Sequence, residues 1–153
     1  MTALLEAYTE KIASGEARAD AAQAAIISRL DHLAQALEAR EQRGTLGRLL
    51  NRNGVPKGVY IYGDVGRGKT MLMDLFFANL QVKAKQRIHF HAFMQGIHQR
   101  RRALRETDVL AQIATDISKQ AQVLCLDEMQ ISDIADAMIV GRLFQALLAN
   151  GTV

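Results

Sequence analysis

The sequence predicts an α/β fold, a parallel sheet covered by helices, with a helical segment and linker over residues 1–57 and the sheet-bearing part over 58–153. Three observations predict it. Up to residue 42 the apolar residues recur at helical spacing. From Gly58 onward, short apolar runs alternate with amphipathic stretches, and that alternation implies parallel strands joined by crossover helices. Between the first strand-like run and the helix after it lies a tight glycine-rich turn, GDVGRGKT.

Residues 3–13 and about 20–42 read as helices. In the second, Asp20 followed by Gln23 reads as a capping pair, and Ile26, Leu30, Leu33 and Leu37 form one apolar face. Gly15 falls between the two, where a helix stop is expected. The stretch 43–57, RGTLGRLLNRNGVPK, holds three glycines, the only proline and four basic side chains, which is the composition of a loop-rich connection.

GVYIY, 58–62, reads as a strand, and a helix is expected over 69–80 with Leu72, Leu75, Phe76 and Leu80 apolar. QRIHFH, 86–91, forms a second strand, followed by a helical stretch over about 92–119. VLCLDE, 123–128, is a buried strand ending in two acids. The helix expected over 134–148 carries Val140, Leu143, Phe144, Leu147 and Leu148 on one stripe. Gly151-Thr152-Val153 reads as a turn and the start of a further strand, so the sheet is incomplete at its C-terminal end and the chain reads as a fragment.

At 153 residues the chain fits one domain able to bury a core, and 49% hydrophobic with 23% charged content is ordinary for a globular protein. A net charge of +3 suits an acidic ligand such as a nucleotide but does not argue for nucleic acid by itself. The lone cysteine, Cys125, has no partner for an internal disulfide, which fits a reducing compartment. No apolar run reaches the roughly 18 residues of a membrane span. Glu6, Glu10 and Glu16 suit neither a secretory signal nor an acid-poor transit peptide, so the expected location is cytoplasmic.

The turn matches G-x-x-x-x-G-K-[ST], the phosphate-binding loop, with Gly63, Gly68, Lys69 and Thr70 at its fixed positions. Glycines let the backbone curl so that successive N–H groups converge on phosphate oxygens, and the helix from Lys69 aims its positive end at the same place. The nucleotide-binding set is Gly63, Asp64, Val65, Gly66, Arg67, Gly68, Lys69, Thr70 and Met71. Lys69 reaches the β- and γ-phosphates, and Thr70 offers its hydroxyl to Mg²⁺. The reading of a turn that merely joins strand to helix is disfavoured by the strand before it and the apolar helix after it.

A second element supports the same chemistry. An apolar strand ending in Asp127 and Glu128 is costly to bury unless a cation or donors meet the carboxylates. Asp127 is placed to hold Mg²⁺ with Thr70, and Glu128 to orient or deprotonate an attacking water, with Lys69 completing the catalytic pair. The bland alternative is that both acids cap the next helix. A catalytic Glu beside a metal Asp points to ATP hydrolysis rather than to a small kinase, and the guanine-reading N-K-x-D pattern is absent.

Other signals are weaker. His89 and His91 alternate on the expected strand and His98 follows on the helix, without a third ligand at convincing spacing for a metal. Arg100, Arg101, Arg102 and Arg105 form a basic cluster, read as a solvated helix face ahead of an acidic-partner or nucleic-acid surface. Gln23 has the donor and acceptor to read an adenine edge, although capping explains it more simply. Arg67 is not needed for the turn and faces solvent or a neighbouring subunit.

GVYIYGDVGRGKTMLMDLFF, RIHFHAFM and LCLDEMQISDIADAMIVGRLF together resemble the ZapE-type ATPases, AAA+-related P-loop proteins of bacteria with relatives in mitochondria. The resemblance runs from roughly Leu4 to the end and is strongest over 58–77, 87–98 and 123–148. It implies a three-layer P-loop core, ATP binding and Mg²⁺-dependent hydrolysis by a protein that acts on others. In bacteria such proteins associate with the cell-division ring, and the mitochondrial relatives are linked to turnover of inner-membrane proteins. By position the Walker A residues are Gly63 to Thr70 and the Walker B acids are Asp127 and Glu128. The resemblance further implies a protein partner in the division machinery, peripheral membrane association and homo-oligomers when nucleotide is bound. Family members continue beyond the position of Val153 into a sensor strand and an arginine finger, so turnover by this chain is the weakest of these expectations. Two other readings stand beside it: a DNA-associated ATPase of the helicase-loader kind, and a nucleotide-binding interaction module without turnover.

Overall fold

The computed structural model describes residues 2–50, 54–64, 66–104 and 108–153, which fall into two compact units, Met1–Val82 and Lys83–Val153. The first unit is helical: α1 (Ala3–Ala13), α2 (Ala21–Gln42), α3 (Gly44–Leu50) and α4 (Lys69–Asn79). Leu4 and Tyr8 of α1, Ile27, Leu30, Leu33, Ala34 and Leu37 of α2, and Leu72, Leu75 and Phe76 of α4 are buried, and the three helices pack against one another. Each fully buried leucine contributes roughly 1.5–3 kcal/mol by leaving water. The face of α2 therefore centres on Ile27, with Ile26 only half-buried beside it.

Polar contacts fix how these helices meet. Thr2 caps α1 and also donates its hydroxyl to Asp31, a buried carboxylate that accepts from Gln35 Nε2 at 2.6 Å as well. Glu38 accepts the Gln81 amide at 2.8 Å, tying α2 to the end of α4. Asp20 caps α2 by accepting from the Ala22 amide at 2.7 Å. Gln23 does not complete the capping pair, because its side chain is engaged with the glycine turn instead.

Three expectations are corrected in this unit. The stretch 43–57 is not loop throughout, since α3 occupies Gly44–Leu50; Gly44 takes a left-handed φ of 68° and the helix resumes directly after α2. The helix expected over 69–80 ends at Asn79, with Leu80 as its extended cap. GVYIY, expected as the first strand, is irregular chain outside any ladder, with Val59, Tyr60 and Tyr62 exposed. Tyr60 and Tyr62 stack on each other at 6.1 Å between ring centroids. Strand propensity reflects packing on a neighbouring strand, and a β-branched run without a ladder partner stays irregular.

The second unit holds β1 (Lys85–His89), α5 (Phe90–Ala103), α6 (Val109–Gln120), β2 (Val123–Asp127) and α7 (Ile134–Ala149). Strands β1 and β2 pair in parallel, Lys85 with Val123 through His89 with Asp127. On the opposite edge of β2, Val153 N–H donates to the Gln122 carbonyl at 2.8 Å and Leu124 N–H donates to the Val153 carbonyl at 2.7 Å. That exchange is the beginning of a parallel ladder. Thr152, buried beside it, donates its hydroxyl to the Ala121 carbonyl at 2.7 Å; with that proton spent, it accepts from Ser118 Oγ at 2.9 Å.

The core is one cluster in which Phe90, Phe93, Met94 and Ile97 of α5 meet Ile113 and Ala114 of α6 and Leu143 and Leu147 of α7. The helical spacing of Phe90, Phe93, Met94 and Ile97 ends the strand early, so His91 is helical and does not alternate with His89 on a strand. The single stretch expected over 92–119 is two helices: Leu104 turns extended, and Asp108 opens α6 by accepting from Ala111 N–H at 3.2 Å. The architecture among the described residues is thus mixed, N-terminal helices with a two-stranded parallel sheet and its covering helices, in place of the larger sheet expected.

Candidate functional site

The glycine turn begins on exposed chain and closes onto α4. Gly66 and Gly68 sit at φ 83° and 78°, left-handed values that a side chain would strain. Gly68 is the N-cap of α4 and offers no side chain to the helix, so the first amides are left to a ligand or to water. Lys69 Nζ folds back and donates to the carbonyls of Gly63 at 2.7 Å and Asp64 at 2.6 Å. The structure thereby brings Gly63, Asp64, Gly68 and Lys69 into one small loop. Arg67 and Thr70 are exposed and Met71 is half-buried on the first turn of α4. Val65, also expected in the nucleotide set, lies outside the described residues, as does Arg105 of the basic cluster.

One contact within this unit was not expected from capping logic. Gln23 Nε2 donates to the Arg67 carbonyl at 3.1 Å, across 44 residues of sequence. A Cβ placed on Gly68 would meet that same nitrogen at 2.8 Å and the Met71 methyl at 3.6 Å. The glycine at 68 is therefore required twice, by its φ and by the approach of Gln23. Gln23 Oε1 is buried and finds no donor among the described residues, an arrangement that ordinarily costs about 1–3 kcal/mol. Its sequence signal was the donor–acceptor pair of the carboxamide; its place against the turn was not readable.

The two acids stand at the C-terminal end of β2, in the second unit. Asp127 Oδ2 accepts from Arg87 Nε at 2.6 Å and Oδ1 faces Arg87 Nη2 at 3.4 Å, both side chains being mostly buried. Arg87 lies opposite Cys125 in the register, so the ion pair is a diagonal one between neighbouring strands. Glu128 is exposed and is the one non-glycine residue at positive φ among those described, at 53°. A left-handed non-glycine residue costs roughly 1–2 kcal/mol. Neither acid caps α7; that role belongs to Asp133, which accepts from Ala135 N–H at 2.7 Å.

Within the first unit, an uncapped helix start with a lysine at its first position suits phosphate oxygens. Thr70 there and Asp127 in the second unit each carry an oxygen of the kind a hard cation takes. Cys125, on β2 with Asp127, is an inert thiol: burial pushes it up to about 11, against a downward pull from Arg87.

A polar concavity lies among α5, α6 and α7, a depression of about 460 Å³ whose polar lining is His98, Arg101, Arg102, Asp108 and Arg142. His98 Nε2 is 2.9 Å from Asp136 Oδ1, which joins α5 to α7. Part of the arginine run expected as a solvated face thus borders a depression.

A family model described as AFG1-like ATPase matches residues 2–153. An uncharacterized protein of Schizosaccharomyces pombe is 43% identical over 156 residues, covering 97% of this chain and 34% of that protein. Cell division protein ZapE of Escherichia coli K12 is 50% identical over 96 residues, 62% of this chain and 26% of its own length. Lactation elevated protein 1 homolog B of Danio rerio is 41% identical over 110 residues, 64% of this chain and 22% of that protein. The chain spans about a third or less of the length of these relatives. No solved structure matches it. No helix among the described residues is long and apolar enough to cross a membrane.

Proposed function

The chain belongs to the AFG1-like ATPase family, and from that premise we propose that it carries the nucleotide-binding part of an ATPase that remodels a protein partner. The observation that carries the reading is the turn itself: left-handed Gly68 opens α4 without a cap, and Lys69 sits folded onto the carbonyls of Gly63 and Asp64. This is an anion-receiving helix end with its cation already in place.

In this reading the loop from Gly63 to Met71 binds ATP, Lys69 meets the β- and γ-phosphates, and Thr70 and Asp127 hold Mg²⁺. The metal, when bound, neutralises charge developing on the phosphates. Glu128 takes the proton of the attacking water, and its exposure at the mouth of β2 suits that role. Residues 58–153 form the P-loop core, with GVYIY joining the sheet in the complete three-layer arrangement. The ZapE relative is a cell division protein by name, and we assign a division-linked protein partner and a cytoplasmic location on that resemblance. Assembly with further copies and peripheral attachment to a membrane belong to the same proposal. Calorimetric titration of the chain with ATP, with and without Mg²⁺, tests the core of it. Mg²⁺-assisted binding is expected; a folded chain, by circular dichroism, that binds no ATP overturns it.

A second reading rests on the depression bordered by Arg101, Arg102 and Arg142. Three guanidiniums around one concavity suit phosphodiesters, as in an ATPase associated with single-stranded DNA. Salt-dependent binding of an oligonucleotide, weakened by Arg101→Ala, would favour it; salt-insensitive or absent binding would exclude it.

A further inference from the structure

We infer that Gln23 reads the base of the bound nucleotide and selects adenine over guanine. The inference rests on the ATP-binding reading of the loop.

The Gln23 carboxamide is oriented by its surroundings. Its nitrogen faces the Arg67 carbonyl at 3.1 Å, so the oxygen points elsewhere, since two acceptors would repel. That oxygen is buried and has no donor among the described residues. Buried acceptors are almost always satisfied, and one left open beside a ligand loop calls for a donor supplied by the ligand.

The identity of that donor follows from chemistry. Phosphates at neutral pH only accept, so the triphosphate cannot serve Oε1. Donors on a purine nucleotide are the ribose hydroxyls, the amino group of the base and, in guanine, N1–H; of these only the adenine amino group lies next to ring nitrogens that accept. Adenine presents an amino group at position 6, whereas guanine presents a carbonyl oxygen there, which an acceptor repels. The second proton on Nε2 remains for a neighbouring ring nitrogen, giving the donor–acceptor pair that matches an adenine edge. Met71, whose methyl shares the space beside Gly68 with this carboxamide, supplies a polarizable surface for the ring. Oε1 is closed to water where Gln23 meets the turn, so the base reaches it as the turn shifts on phosphate binding.

The test is calorimetric titration of the whole chain and of Gln23→Met with ATP, GTP and inorganic pyrophosphate, with circular dichroism on each sample. The natural chain should bind ATP more tightly than GTP. Gln23→Met should lower ATP affinity about tenfold while leaving GTP and pyrophosphate affinity unchanged, which erases the discrimination. Equal losses for ATP, GTP and pyrophosphate would overturn the inference and make Gln23 a support of the loop alone. Nucleotides and pyrophosphate bound without purine preference by the natural chain would overturn it while leaving the phosphate site intact. Binding of none of the three ligands would overturn both. Should Gln23→Met fail to fold, the natural chain is titrated with purine riboside triphosphate, which lacks the 6-amino group; binding about tenfold weaker than ATP supports the inference, and equal binding overturns it.

Discussion

Arg87 and Asp127 form an ion pair between the two strands, with Arg87 Nε donating to Asp127 Oδ2 at 2.6 Å. The carboxylate proposed as a metal ligand is therefore held by a cation from the neighbouring strand, which neutralises it and fixes its rotamer. Removing the guanidinium leaves a mostly buried carboxylate uncompensated. Arg87→Ala should lower the unfolding free energy by about 1–3 kcal/mol, read from urea denaturation. A midpoint equal to that of the natural chain would show that the pair carries no stability.

Lys69→Ala should reduce ATP affinity at least about 100-fold, because charge-assisted bonds to the phosphates have no substitute in the loop. Calorimetry at fixed ionic strength checks this. Undiminished binding would remove Lys69 from the phosphate site.

Glu128 separates chemistry from backbone. Glu128→Gln should retain ATP binding and lower hydrolysis by about 100-fold or more, measured as phosphate release. In the same position Glu128→Gly should be more stable than Glu128→Ala by about 1 kcal/mol, since φ is 53° and glycine alone adopts that value without strain. Normal hydrolysis by Glu128→Gln would place the base elsewhere.

How much of this was legible beforehand depended on whether a residue acts through its neighbours in sequence. The helices α1, α2, α4 and α7 follow from apolar spacing, and Asp20 announced the start of α2. The break between α5 and α6 was carried by Asp108, a capping residue inside an otherwise continuous helical pattern, and periodicity alone passed over it. GVYIY has the composition of a strand, but composition cannot supply the partner that makes one. Within the site, the loop residues share one short motif and were readable. The Gln23–Arg67 bond spans 44 residues, and the Arg87–Asp127 pair depends on strand register, so neither leaves a local trace. The positive φ of Glu128 is likewise invisible in a side chain that does not favour it.

Cys125 gives a pH dependence. Its thiol is raised by burial to about 11 in the folded chain, above the ordinary value, so the unfolded chain loses the proton first. The associated stability is fully present below about pH 9 and is lost as pH rises toward 11. Urea midpoints at pH 8 and pH 10 should fall for the natural chain and fall less for Cys125→Ala. Equal declines in both proteins would assign the effect to other groups.

Thr152 closes the end of the sheet, with its hydroxyl shared between Ala121 and Ser118. Thr152→Val keeps the shape and removes both bonds, so a loss of about 1–2 kcal/mol is expected in thermal or urea unfolding. Thr152→Ser, which retains the hydroxyl, should recover most of it. A neutral Thr152→Val would show that water replaces the hydroxyl.

The folded-back Lys69 has a consequence for affinity. With its ammonium on the carbonyls of Gly63 and Asp64, the turn competes with the proposed phosphates for the same charge. In the proposed site, the affinity for a nucleotide is then net of those two bonds, which Lys69 gives up as the phosphates arrive. Release meets the reverse situation, for the departing phosphates are replaced by two carbonyls already within reach. In the proposed site the turn thus carries its own replacement for departing phosphates, so the lysine is satisfied on both sides of the binding equilibrium.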